Sequence, residues 1–99
     1  KINNLLINNS TDCDKIVGEL QVRTRNTGDS IKLNRRNGTK TLKKLYTEHS
    51  IPQNERATLP VIADYEGVVW VCGIGVAERC AVTKDSQNII KIEAEIVSK

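Results

Sequence analysis

Two short apolar runs, Val61-Ile62-Ala63 and residues 68–72, are separated by the turn pair Glu66-Gly67. Runs this short, rich in β-branched residues and broken by a glycine turn, fit the two strands of an antiparallel hairpin and are too brief for stable helices. The rest of the chain repeats that scale. Across residues 89–97, Ile90, Ile92, Ala94 and Ile96 alternate with Lys91, Glu93, Glu95 and Val97, as in a strand with one buried face. Val17, Leu20 and Val22 sit among polar residues in 16–24, which reads as a strand with Gly18 near its start. Ile31-Lys32-Leu33 is a short strand between the turn signals Thr27-Gly28-Asp29 and Asn37-Gly38. Gly73-Ile74-Gly75 reads as a glycine-flexed bend, and residues 79–83 as a further closing strand.

Only the middle of the chain changes period. Within 39–49, Leu42, Leu45, Tyr46 and His49 follow helical spacing and share one face. At 100° per residue Lys40, Lys43 and Lys44 fall on the opposite face, and Thr39 or Thr41 is the candidate N-cap. Ile51-Pro52 restarts the chain, with proline placed for the first position of a second short helix through Asn54, Glu55 and Arg56 that ends before Pro60. The expected class is α+β: mainly antiparallel, layered strands with two short helices inserted.

The 99 residues suffice for one domain, assigned to 15–99, with residues 1–14 read as a tether and edge strand around Leu5-Leu6-Ile7. No apolar run reaches the ~20 residues of a membrane span. Lys1 is followed by asparagines rather than an apolar leader, and methionine is absent, so the chain reads as a piece of a longer protein. Three cysteines, Cys13, Cys72 and Cys80, have no CxxC spacing and point to reduced thiols and a cytoplasmic setting, with Cys72 and Cys80 as small core residues. A single histidine and no ligand cluster argue against a metal site.

Charge supplies the functional signal. Between residues 23 and 44 lie eight cations, Arg23, Arg25, Lys32, Arg35, Arg36, Lys40, Lys43 and Lys44, against one acid, Asp29. That segment carries +7 in a chain of net +3, leaving −4 on the remainder. Clustered lysine and arginine favour a polyanion through release of phosphate counterions. A solvated surface is the ordinary reading of scattered lysines; here the helix gathers three, and Arg35-Arg36 flanks a glycine turn able to offer backbone N–H groups to phosphate. The aromatics are only Tyr46, Tyr65 and Trp70, and the first and last read as core, which disfavours single-strand stacking and favours a structured duplex read through its backbone. Enzymatic readings are poor. Gly73-x-Gly75 lacks the third glycine of a dinucleotide fingerprint, no GxxxxGK[ST] loop occurs, and neither His49 nor Asp29 has a convergent catalytic partner. Arg56, beside Glu55, either anchors the second helix or reaches the same polyanion. The alternative reading is a protein-interaction or dimerisation module using the apolar stretch 68–77.

Four elements in order carry a resemblance. Arg23-Thr24-Arg25-x-x-Gly28-Asp29-x-Ile31 resembles an RxRxxGDxI element, and Gly38-Thr39-Lys40-x-Leu42-Lys43 resembles GxKxLK. Ile51-Pro52-x-x-x-Arg56-x-x-x-Pro60-Val61-Ile62 resembles IPxxxRxxxPVI, and Val69-Trp70-Val71-x-Gly73-Ile74-Gly75 resembles an IWVxGIG strand. Together, over residues 19–83, they resemble the C-terminal domain of bacterial tRNA(Ile)-lysidine synthase. The resemblance implies a fold similar to a domain of the phenylalanyl-tRNA synthetase β subunit, with an unusual β-sandwich. It also implies a parent ligase that uses ATP, with Mg, to adenylate the wobble cytidine of isoleucine tRNA before lysine displaces AMP. The SGGxDS loop of that chemistry is absent here, so this chain is expected to be non-catalytic and to hold no cofactor itself. Its implied role is to hold the acceptor-stem region of the tRNA, with no membrane partner, and the resemblance admits a homodimeric parent. Arg23, Arg25, Lys40, Lys43 and Arg56 belong to the matched elements; Lys32, Arg35, Arg36 and Lys44 are charge beside them.

Overall fold

The hairpin forms where the sequence places it. In the computed structural model, which describes residues 10–92, β5 (Val61–Asp64) runs antiparallel to β6 (Gly67–Val71) with Ile62 opposite Trp70. The turn is closed by Asp64, whose Oδ1 accepts the N–H groups of Glu66 at 2.9 Å and Gly67 at 3.2 Å. Gly67 takes φ +134, a value that glycine alone adopts without strain. β2 (Gln21–Arg23) adds to the outer side of β5, and β7 (Gly75–Val76) to the outer side of β6. The result is a four-stranded antiparallel sheet in the order β2-β5-β6-β7.

Two ribbons frame that sheet. β3 (Ser30–Ile31) pairs with β4 (Lys40–Thr41), and β1 (Ser10–Asp12) pairs with β8 (Ile89–Lys91). Single bridges, Leu33 to Ala77 and Thr11 to Ala81, tie the ribbons to the centre. The β1 ribbon is anchored by buried polar groups: Thr11 donates its hydroxyl to the Cys80 carbonyl at 2.7 Å, and Ser86 donates to Asp12 Oδ2 at 2.7 Å. The parts of the expected terminal strands within 1–9 and 93–97 lie outside the described residues.

The helices are α1 (Leu42–Glu48) and α2 (Gln53–Arg56). The helix expected from residue 39 starts later, because Lys40 and Thr41 are first used as β4 and Thr41 is still extended at ψ 152. Thr41 then caps α1, its hydroxyl accepting the Lys44 N–H at 3.2 Å. Pro52 is the residue before α2 rather than its first position. The strand expected over 79–83 is replaced by a 3-10 turn, Glu78–Cys80, whose backbone closes locally through Cys80 N–H to Ala77 and Ala81 N–H to Glu78.

Both sheet faces are covered. One packs Val61, Val68 and Val71 against Leu42, Leu45 and Tyr46 of α1 and Ile31 and Leu33 of the β3 side. The other gathers Ile62, Val69, Trp70, Val76, Cys80 and Ile92. Each such side chain contributes roughly 1.5–3 kcal/mol when fully buried. The stretch 68–77, considered above as a partner surface, is therefore largely core, with Val68 to Val71, Ile74, Val76 and Ala77 all buried. Cys80 is buried, Cys72 half-buried and Cys13 exposed, and all three are free thiols. Tyr46 is fully buried, yet its hydroxyl has no hydrogen-bond partner among the described residues. Burial also pushes its phenol pKa up. An unpaired buried hydroxyl costs about 1–3 kcal/mol. Tyr46→Phe is expected to raise unfolding stability by about 1 kcal/mol, measured as a higher urea midpoint at unchanged slope.

Candidate nucleic-acid interface

The cations of 23–44 divide by their partners. Arg23, on β2, grips Asp29 with both guanidinium nitrogens, at 2.7 and 3.3 Å, and donates to the Thr24 carbonyl at 3.0 Å. Asp29 also accepts the Asn26 N–H at 2.8 Å, and its backbone carbonyl accepts the Leu42 N–H at 3.0 Å. Arg23 thus clamps the turn on which α1 starts. Burial works to raise the Asp29 pKa, but Arg23 and the Asn26 N–H outweigh it and hold the carboxyl below its ordinary value. Lys32 meets Glu78 at 2.7 Å, and Lys40 meets Glu48 at 2.8 Å, both at the surface. Lys40 stands on β4 rather than on the helix, so the basic outer face of α1 carries Lys43 and Lys44 alone.

The other five cations, Arg25, Arg35, Arg36, Lys43 and Lys44, make no ion pair among the described residues. Arg35, Arg36, Lys43 and Lys44 are exposed, and Arg25 is half-buried near Asp29. Glu48 lies near two of them: its carboxyl is held low first by the Lys40 hydrogen bond and then by the nearby charges of Lys44 and Arg36. Lys40, Lys44 and Arg36 thus all lie near enough to Glu48 to act on its charge. The tight turn there runs from Leu33 to Arg36, closed by Arg36 N–H to the Leu33 carbonyl at 3.2 Å, with Arg35 at φ +66.

Arg56 lies apart. Its Nε donates to the Ile51 carbonyl at 2.8 Å, and Nη1 reaches Thr47 Oγ1 at 3.5 Å, clipping the α1–α2 loop where Ser50 holds φ +56. Sequence reasoning missed one arginine altogether. Arg79 forms a two-pronged pair with Asp64, at 2.7 and 3.0 Å, beneath the hairpin turn. For His49 sequence reasoning offered the apolar face or a structural or capping place near the helix end, and the second holds. The residue caps α1 through its backbone N–H, at 2.9 Å from the Leu45 carbonyl, while its side chain is exposed beside Arg35 and Arg36.

The fold is a mainly antiparallel α+β domain, and five of the eight cations of 23–44 stand outside any ion pair among the described residues. The chain belongs to the family described as TilS substrate C-terminal domain, whose family model matches residues 20–94. It is 37% identical over 82 residues to a tRNA(Ile)-lysidine synthase of Caldanaerobacter subterraneus, covering 83% of this chain and 18% of that protein. A tRNA(Ile)-lysidine synthase of Clostridioides difficile is 33% identical over 81 residues, 82% of this chain and 17% of its own length. The chain thus spans under a fifth of these relatives. A crystal structure of a TilS C-terminal domain superposes with a TM-score of 0.70 at 33% identity, covering 82% of this chain and 62% of that one. Among the described residues no helix is long and apolar enough to cross a membrane.

Proposed function

We propose that this domain holds tRNA for a parent tRNA(Ile)-lysidine synthase, gripping the phosphates of the acceptor-stem region of isoleucine tRNA. The observation that carries the reading is that five of the eight cations between residues 23 and 44 have no acidic partner among the described residues, while Arg23, Lys32 and Lys40 do. Unpaired Arg25, Arg35, Arg36, Lys43 and Lys44 are the direct phosphate contacts. Lys32 and Lys40 exchange their glutamates for phosphate when RNA arrives, and Arg23 and Arg56 shape the surface from below. The catalytic work, adenylation with ATP and Mg followed by lysine attack, belongs to the rest of a cytoplasmic parent, which a homodimer would also accommodate. In this reading 15–99 is the binding unit, 1–14 its link to the parent, and the layered sheets are similar to a domain of the phenylalanyl-tRNA synthetase β subunit.

The test is the salt dependence of tRNA binding by the 99-residue chain. With about four phosphates neutralised, log K against log salt falls with a slope of roughly −3. Affinity that ignores salt, or no complex even at low salt, would sink the proposal.

A further inference from the structure

We infer that the cleft beside the arginine turn takes one unpaired nucleotide of the bound RNA, with its phosphate at Arg35, Arg36 and His49. The inference rests on the tRNA-holding role and assigns a second kind of contact to it. The cleft measures about 660 Å³, within the ~300–1,000 Å³ common for small-ligand sites. Its lining sorts by exposure. Arg35, Arg36 and His49 are exposed and form the rim, whereas Leu33, Ile74 and Val76 are 6–8% exposed and form an apolar floor. Among the described residues no aspartate or glutamate lines it, and neither Arg35 nor Arg36 is in an ion pair there. The smaller cleft of about 270 Å³ differs in this respect: Glu66 and Glu78 line it, and its Lys32 and Arg79 are already paired.

A rim of cations over an apolar floor matches a phosphate joined to a flat, weakly polar ring. Inorganic phosphate alone leaves the floor unused, and an apolar ligand leaves the rim unused. Two backbone features favour such an occupant. Gly73 and Gly75 flank Ile74 at φ +75 and +150, and neither has a side chain to fill the space above the floor. Arg35 holds φ +66, where glycine or asparagine is usual, and that conformation costs on the order of 1 kcal/mol or more. The turn is fixed nonetheless, because the Asn34 N–H is bonded to the Val76 carbonyl at 3.0 Å. The frame thus carries Arg35 at the rim on a turn pinned to β7. Arg36 leads out of the cleft, since it also lines a small pocket with Gly38 and Lys40. A strand leaving a duplex held there has a cationic path into the cleft.

Two measurements on the 99-residue chain test this. Amide shifts are followed on titration with uridine 5′-monophosphate and, separately, with inorganic phosphate. The nucleotide is expected to move amides of residues 33–36, 49, 73–76 and 81–82 at several-fold lower concentration than phosphate does. Equal responses to both would overturn the nucleotide assignment. A blunt RNA duplex is then compared with the same duplex carrying a two-nucleotide single-stranded extension. The extension is expected to tighten binding about tenfold, and Val82→Glu, which sets a carboxylate in the lining, should abolish that gain. A duplex that binds equally with and without the extension overturns the cleft and leaves the tRNA-holding role standing. Cleft shifts with the nucleotide but no duplex binding uphold the cleft and overturn that role. Arg35→Gly guards against misfolding: glycine suits φ +66, so a chain with an unaltered thermal midpoint should lose most of its nucleotide response.

Discussion

Replacing Asp64 with alanine is expected to lower unfolding stability by about 3 kcal/mol, which for a domain this size means a thermal midpoint roughly 15 °C lower. The carboxylate is fully enclosed and accepts from five donors on three segments: the Arg79 guanidinium through two nitrogens, and the N–H groups of Val17, Glu66 and Gly67. Alanine leaves the three backbone donors without their acceptor and Arg79 without its counter-charge. The same group sets a pH dependence. Burial works to raise its pKa, but Arg79 and the Val17 and Glu66 N–H groups outweigh that and bring it from 3.8 to about 2. A carboxyl depressed on folding adds stability that is complete above its unfolded pKa and lost as pH falls through the folded one. Roughly 2 kcal/mol should therefore disappear between about pH 5 and pH 2. Asp29 shifts in the same direction and adds to the slope. Chemical denaturation of the native chain and of Asp64→Ala across that range checks both claims. The variant should be less stable at neutral pH and should show a flatter acid limb. A variant that loses stability but keeps the full acid slope would show that Asp64 acts by packing and not by its charge.

Local pattern made much of the fold legible. The 61–71 hairpin follows from two β-branched runs and a glycine turn, which interact across a few residues of sequence. The apolar face of α1 was equally readable, because Leu42, Leu45 and Tyr46 are neighbours on any helix placed there. The start of α1 was not, since Lys40 and Thr41 are withdrawn into a ribbon by Ile31 and Ser30, about ten residues upstream. Likewise the 79–83 run has strand-forming residues, but Arg79 answers to Asp64, fifteen positions earlier, and the backbone turns to bring it there. The basic segment was visible as composition, whereas its division into paired and unpaired cations depends on acids at 29, 48 and 78 that folding alone delivers. The cleft was beyond sequence reasoning for the same cause. Its rim and floor come from residues near 34, 49, 75 and 82, and no spacing along the chain joins them.

That division of the cations leads to an expected separation of binding from folding. The combined replacement of Arg35, Arg36, Lys43 and Lys44, with glycine at Arg35 and alanine elsewhere, removes four exposed charges and no ion pair. If each contacts one phosphate, tRNA affinity near 0.1 M salt should fall roughly a thousandfold and the salt slope should fall to roughly half, with Arg25, Lys32 and Lys40 supplying the remainder. The thermal midpoint should hold or rise slightly, since like charges are relieved. Arg23→Ala should do the reverse. It leaves Asp29, only 15% exposed, without its two-pronged partner, which costs about 2–3 kcal/mol of stability. Lysine cannot restore the bidentate grip, so Arg23→Lys should recover only part of it. At a temperature where the Arg23→Ala chain remains folded, its salt slope should match the native one, because no phosphate contact has been removed. A native midpoint with a reduced slope in Arg23→Ala would place Arg23 on the RNA itself. A native slope in the fourfold variant would move the interface to another face of the domain. The two chains thus separate charge that holds the ligand from charge that holds the fold.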